Sequence, residues 1–483
     1  MIDTTATSDS MAPLYERVAG EMASLIGQGT FRAGDRVPSI RQLSRRFDVS
    51  INTAMQAYAL LEDQRLIEAR PQSGYYVRAR APEIASPPPS PTTRIRPATV
   101  TISELCHQVI HNMMNRDLLP LGGAIPNPRH LPVDKLNRIL AGETRRFRDH
   151  SVSYFMPPGW ERLRVQIAKR SLEAGVSVTP DGVLITSGCV EAVLLALRAT
   201  CRSGDTIAVE SPFYFNFLQM IAELGLKALE IPATPREGIS IEALRYAIEH
   251  NKVSACLVIA NFGNPLGSLM PDERKRELVE LLARHEIPLI EDDIYGDLVF
   301  GNERPVAAKS FDRKGLVIYC SSFSKTLCPG YRVGWTIAGR FQERMERLKM
   351  MMNLSCPSPS QLAVAEFLAT GGYDHHLRTV RRIYSRNMSL MRDAVVRFFP
   401  EGTRMTHPAG SFILWVEMPE QVDSLILFHL ALEQGIGISP GPLFTLTENK
   451  YRNFIRLSTA TWDETIEQGV RKLGELAHHL MRG

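Results

Sequence analysis

The stretch Ser321-Ser322-Phe323-Ser324-Lys325, with Pro329-Gly330-Tyr331-Arg332-Val333-Gly334 just after it, decides how this chain is read. It follows the apolar run Leu316–Cys320, so it places a lysine where a buried strand gives way to a loop. A serine–lysine pair after a strand is a weak signal alone, because a loop lysine is ordinarily solvated. Its company strengthens it. Upstream, in order, lie Thr186-Ser187-Gly188-Cys189, Glu210-Ser211-Pro212-Phe213-Tyr214, Asn261-Phe262-Gly263-Asn264-Pro265-Leu266-Gly267 and Glu291-Asp292-Asp293-Ile294-Tyr295. Around these motifs short β-rich runs alternate with amphipathic helices: Val183–Thr186, Thr206–Glu210, Cys256–Ala260, Pro288–Glu291, Leu316–Cys320 and Val333–Ala338. The runs are apolar on both faces, as buried parallel strands are, which predicts an α/β sheet. From about Gln342 onward, long helices precede a few strands (Phe412–Val416, Phe454–Leu457), the pattern of a second, α+β lobe.

Toward the N-terminus, Ala81 to Thr101 contains Pro82, Pro87, Pro88, Pro89, Pro91 and Pro97 among Ser, Thr and Ala. Such a segment builds no core and is expected as an extended spacer, reaching ~60 Å at ~3.1 Å per residue. It separates a small unit, residues 13–80, from a large one, residues 102–483. The small unit reads as three helices and a hairpin. Leu14, Val18, Met22 and Leu25 form the stripe of a helix from Leu14 to Gln28, which the Arg32-Ala33-Gly34-Asp35 turn follows. Ser39 caps a short helix with Ile40, Leu43 and Phe47 inward; Asp48-Val49 turns; Ser50 caps a third helix carrying Ala54, Tyr58 and Leu61. Two strands, Leu66–Ala69 and Tyr75–Val77, follow around Pro71-Gln72-Ser73-Gly74.

Helix, tight turn, helix is a helix-turn-helix, whose second helix enters a DNA major groove ~12 Å wide. Its exposed start would present Ile51, Asn52, Thr53 and Gln56; Asn and Gln pair bidentately with adenine, and Thr suits a base or a phosphate. Arg41, Arg45 and Arg46 precede them as phosphate contacts, and Arg70 and Arg78 would sit on the wing. From Pro13 to Arg80, ten Arg face seven acids, a mild excess that permits nucleic-acid binding without demanding it.

Composition excludes other classes. With 44% hydrophobic and 22% charged residues among 483, the chain is an ordinary globular protein, neither disordered nor fibrous. No apolar run reaches the ~18 residues that span a bilayer, and the first sixteen residues hold Asp3, Asp9 and Glu16 without Lys or Arg, unlike a signal peptide. Seven cysteines without a CxxC pair fit a reducing cytoplasm. His107 and His111 are four apart on a helix, a metal-like spacing, but no third ligand lies near; they, His375-His376 and His478-His479 read as surface histidines, and no metal is expected.

The ordered motifs of the large unit, over roughly Leu121 to Arg456, resemble fold-type-I pyridoxal 5′-phosphate (PLP) enzymes of the aspartate aminotransferase group. The resemblance implies PLP as cofactor, held as an aldimine on Lys325, which must offer a neutral amine. Arg332 would clamp the phosphate. Ser187, Gly188 and Cys189 would meet it at a helix start, Gly188 allowing close approach, with hydroxyls from Ser322 and Ser324. Asp292 would pair with the pyridine nitrogen, Asp293 being chemically equivalent, and Asn264 and Tyr295 would bond the 3′ oxygen. Tyr214, or else Phe213, would stack on the ring. Arg456 matches the arginine for a substrate α-carboxylate, and Tyr154 a tyrosine that reaches the phosphate of a neighbouring subunit.

The small unit, from Leu14 to Val77, resembles the winged helix-turn-helix of GntR-type bacterial regulators through Ala33–Leu43, Val49–Thr53 and Ser73–Val77. It departs at Ile51, where the family carries Arg, and at Arg65, where it carries Gly. Reader, Pro-rich spacer and aminotransferase-like domain, in that order, resemble the MocR (GabR-like) subfamily of transcriptional regulators. The implied molecule is a cytoplasmic, PLP-dependent, double-stranded-DNA-binding homodimer, head to tail. An amino acid, amine or B6 vitamer would modulate it at Lys325. A working aminotransferase with an appended DNA reader is the alternative, and PLP itself as the signal a third reading.

Overall fold

The computed structural model describes residues 13–27, 30–31, 35–63, 66–70, 73–77, 95–100, 104–115 and 117–482. Residues 32–34, Arg65, Pro71-Gln72, Arg78 and the spacer from 81 to 94 lie outside them, as does the side chain of Arg70. The chain divides into two compact units after Ile84.

In the first unit, α1 (Leu14–Gly27), α2 (Ile40–Phe47) and α3 (Ile51–Asp63) precede the antiparallel pair β1 (Ile67–Arg70) and β2 (Gly74–Val77). The helix ends are local chemistry. Ser39 and Gln42 form a capping box: the Gln42 N–H donates to Ser39 Oγ at 3.3 Å, and the Ser39 N–H donates to Gln42 Oε1 at 2.8 Å. Asp48 closes α2 in the left-handed region at φ 49°. The Thr53 N–H donates to Ser50 Oγ at 3.0 Å and opens α3. The core is Val18, Met22, Leu43, Ala54, Tyr58, Leu61, Ile67 and Val77. Leu14 does not share it: at the first turn of α1 it is 49% exposed. Residues 35–37 extend the hairpin, since Val37 N–H bonds Tyr75 O at 3.0 Å and Val77 N–H bonds Asp35 O at 2.8 Å.

The second unit holds a sheet of nine strands among the described residues. Along its main path the order is Ala98–Thr99, Lys227–Thr234, Thr206–Ser211, Val253–Val258, Leu289–Asp292, Val317–Ser322, Gly334–Ile337 and Leu184–Thr186. The central strands are parallel. Two findings correct the sequence reading. Gly334–Ile337, expected as parallel, runs antiparallel to both neighbours, because burial on both faces leaves the same apolar run in either direction. Ala98–Thr99, within the expected spacer, is an edge strand against Lys227–Ala228. The helix Cys189–Thr200 lies buried against this sheet. A second lobe pairs a small antiparallel sheet (Arg404–Met405, Ile413–Glu417, Phe454–Ser458, Ser439–Pro440) with the helices Gly372–Phe398, Ser424–Glu433 and Glu464–Arg482. Thr186, Ser211, Asp292 and Ser322 close the carboxyl ends of their strands, the edge where open α/β sheets bind ligands.

Candidate functional site

At that edge a cavity is lined by Ala124, Cys189, Val190, Tyr214, Phe217, Ile259, Asn264, Asp292, Ile294, Tyr295, Ser324, Lys325 and Arg332. Eight of the sequence-predicted residues therefore share one wall system. Lys325 Nζ donates to the Ala124 carbonyl at 2.6 Å. Burial, with the Arg456 guanidinium nearby, lowers its ammonium pKa to about 8, so a neutral amine is accessible near physiological pH. Asp292 ends its strand and accepts from Cys189 Sγ at 3.0 Å; burial pushes its carboxyl up to about 7, against the opposing pull of that thiol. Cys189 thus contributes its sulfur as well as its backbone, and burial keeps the thiol protonated.

Of each pair of alternatives left by the sequence, one member lines the cavity. Asp293 turns away into a buried network, accepting from Tyr319 Oη at 2.9 Å and Asn261 Nδ2 at 2.9 Å and pairing with Arg304. Asp292 is the aspartate on the cavity. Phe213 is fully buried in the core beneath the sheet, whereas Tyr214 lines the cavity.

Arg332 is held in the left-handed region at φ 52°. It donates to the Ser187 carbonyl at 2.9 Å and to Ser324 Oγ at 3.3 Å. Gly188, at φ 85°, caps the helix Cys189–Thr200, and a Cβ there would stand 2.2 Å from Arg332 Nη2. Only glycine leaves room for this guanidinium beside the helix start, a cradle suited to a phosphate. Ser187 and Ser322 stand behind the wall: the Ser187 N–H bonds the Glu191 carboxylate, and Ser322 Oγ accepts the Ser324 N–H at 3.3 Å. Arg456 is 1% exposed and donates to Asn264 Oδ1 at 3.0 Å, Ser439 Oγ at 3.3 Å and the Gly122 carbonyl. Its Nε has no partner, and burial lowers its pKa. A buried guanidinium facing only neutral acceptors is suited to an anion. Tyr154 is 73% exposed and does not line its own chain's cavity.

On the first unit, Arg41, Arg45, Asn52 and Gln56 are exposed, and Thr53 is half-buried with its hydroxyl 2.8 Å from Ser50 Oγ. Ile51 and Met55 are 54% and 52% exposed on the same helix start. Met55 was missed by the sequence reading; its position four residues after Ile51 was the available signal, and the pair suits thymine methyl groups.

His376 is not on the surface as expected: it is buried, with Nε2 2.7 Å from the Thr326 carbonyl. Among the described residues no group of His, Cys, Asp or Glu is placed to hold a metal, and no helix is long and apolar enough to cross a membrane.

Residues 135–473 match the family of class I and II aminotransferases, and residues 14–77 match the gntR family of bacterial regulatory proteins. The chain is 39% identical over 463 residues to YdcR, an uncharacterized HTH-type transcriptional regulator of Escherichia coli (strain K12), covering 96% of this chain and 98% of that one. It is 37% identical over 470 residues to a second such regulator of the same organism, YjiR, covering 97% and 99%. Among solved structures it is similar to LysN, an alpha-aminoadipate aminotransferase of Thermus thermophilus complexed with N-(5′-phosphopyridoxyl)-L-leucine. That similarity has a TM-score of 0.73 at 29% identity, over 80% of this chain and 96% of that chain.

Proposed function

The chain belongs to the GntR-type transcriptional regulators that carry a class I and II aminotransferase domain, the MocR (GabR-like) architecture, and from that premise we propose that it is a PLP-dependent regulator whose DNA occupancy follows the chemical state of Lys325. The observation that carries the proposal is one cavity joining an amine of lowered pKa, a carboxylate and an arginine seated against a glycine at a helix start, on a chain that also bears a capped reading helix.

PLP, when bound, supplies an electrophilic carbon for an amine and an electron-withdrawing ring. Lys325 presents the amine, and burial keeps a usable fraction of it neutral. Arg332, the Ser324 hydroxyl and the N–H groups after Gly188 hold a phosphate. Asp292 holds a proton on a ring nitrogen, with the Cys189 thiol orienting its carboxylate. Asn264 and Tyr295 would bond a ring oxygen and Tyr214 would cover a ring face, all three lining the cavity, while Ser187 and Ser322 keep the cradle in shape. Arg456 awaits the carboxylate of an amino-acid effector, its position fixed by Asn264 and Ser439. Tyr154 reaches the cavity of a second subunit in a head-to-tail homodimer, which also covers the exposed apolar side chains Val152 and Met351. Arg41, Arg45, Asn52, Thr53 and Gln56 contact the operator. The domain limits are 13–80 for the reader and 102–483 for the aminotransferase-like domain, with 81–101 between them as a spacer whose end, Ala98–Thr99, joins the large sheet, in a cytoplasmic protein.

The test is DNA affinity on the chain's own promoter region, with and without PLP and a panel of amino acids and amines. A ligand that couples to DNA changes affinity by about 5- to 150-fold in wild type and leaves Lys325→Ala unmoved. No change with any ligand, or multiple turnover with a 2-oxo acid at enzyme-like rates of about 1–1000 per second, overturns the proposal.

A further inference from the structure

The helix Gly372–Phe398 carries a charge pattern that its packing does not use. Arg378, Arg382 and Arg386 fall at i, i+4 and i+8 and are all exposed. None has a carboxylate within ion-pair distance among the described residues. Asp374, one turn before Arg378, is taken by Arg170 at 2.7 Å, and the next acid of this helix, Asp393, lies two turns beyond Arg386. Like charges at this spacing repel and weaken the helix that bears them. Other exposed arginines of the second unit do have carboxylate partners: Arg340 with Glu286, Arg452 with Asp423, Arg347 with Glu343.

The three guanidinium groups form a line stepping ~6 Å at a time over ~12 Å. Duplex DNA presents one negative charge per ~1.7 Å of axis, so all three can be neutralised at once by a backbone lying along the helix. We infer that the outer face of the helix Gly372–Phe398 is a second, sequence-independent DNA contact, touching the phosphate backbone of a duplex that the winged helix-turn-helix also binds. A duplex is available to it by construction, because the reader is tethered to the same chain and raises the local DNA concentration. On its buried side the same helix holds the residue that follows Lys325: Tyr373 Oη donates to Thr326 Oγ1 at 2.8 Å and His376 Nε2 lies 2.7 Å from the Thr326 carbonyl. The inference rests on the DNA-binding reading above.

The experiment uses the full-length protein and a long duplex of mixed sequence, with affinity measured across a salt series. The Arg378→Gln/Arg382→Gln/Arg386→Gln variant is compared with wild type and with a control that removes three other exposed cations, Arg202, Lys227 and Lys252, beside the amino ends of the sheet strands. The slope of log K against log salt is expected to become shallower by about 0.9 for each arginine on a phosphate, hence by roughly 2 to 3, while the control keeps the wild-type slope and both variants still bind PLP. An unchanged slope in the triple variant, or an equal change in the control, overturns the inference, the latter by showing a net-charge effect. A shallower slope that appears equally with a polyanionic peptide in place of DNA overturns it in favour of a protein partner. If wild type binds no duplex at all, it is the DNA-binding reading that fails.

Discussion

Replacing Gly188 by alanine acts on the cofactor cradle through one atom. Gly188 sits at φ 85° and ψ 174°, a region open essentially to glycine alone, where another residue costs about 1–3 kcal/mol. The added Cβ would lie 2.2 Å from Arg332 Nη2 and 2.9 Å from Cζ, against a comfortable separation of ~3.5 Å. The guanidinium must therefore retreat by more than an ångström, breaking its bonds to the Ser187 carbonyl and Ser324 Oγ. Loss of one charge-assisted contact to a phosphate is worth ~1.5–3 kcal/mol, about a 10- to 100-fold weakening of PLP binding. The control is Gly330→Ala in the loop that carries Arg332, where a Cβ meets nothing within 4 Å. Equilibrium titration of apo-protein with PLP, alongside circular dichroism to confirm folding, gives the answer. A folded Gly188→Ala protein that binds PLP within twofold of wild type, or a Gly330→Ala protein weakened to the same degree, refutes the cradle.

Other outcomes follow from the same geometry. The Lys325 pKa falls from 10.5 to about 8 on folding, so the folded apo-protein binds fewer protons than the unfolded chain between those values. Its destabilising effect is complete below about pH 8 and is relieved as pH rises toward 10.5. Apo Lys325→Met should melt higher than wild type at pH 7, with the gap narrowing above pH 8; the rate of PLP capture by wild type should level off above about pH 8 rather than climb toward 10.5. Arg456→Gln should leave PLP affinity near wild type and weaken the response to an amino-acid effector by about 10- to 100-fold, the loss of one charge-assisted contact, read by calorimetry. Ser39→Ala removes the capping box of α2 and should destabilise the reader by about 0.5–2 kcal/mol, lowering DNA affinity while PLP binding is unchanged.

Much of this was legible in the sequence for physical reasons. Lys325, Arg332 and Gly188 stand where strands end and turn, and such turns need specific residue types, so their motifs survive in one dimension. Ser39 and Ser50 announce helix starts because capping is local chemistry. The unread parts depend on contacts far apart in the chain. Asp292 and Asp293 differ only in which side of the strand each faces; Arg304, which claims Asp293, gives no sign of this in its own surroundings. The Ala124 carbonyl that meets Lys325 belongs to a backbone any residue could supply. The strand Lys227–Thr234 was overlooked because Lys227, Glu230 and Pro232 break the apolar pattern; Glu230 is instead buried among Ser211, Thr445 and Thr447. The strand direction of Gly334–Ile337 leaves no trace in composition, and His376 looked like its exposed neighbour His375 until the helix face was known.

The most direct test of the central claim is borohydride reduction of the full-length protein after incubation with PLP, followed by peptide mapping by mass spectrometry. The account predicts one pyridoxyl label per chain, on the peptide containing Lys325, abolished in Lys325→Ala and diminished in Gly188→Ala. A label carried by other lysines while Lys325 stays unmodified, or no stable label under conditions where the protein is folded, would contradict it.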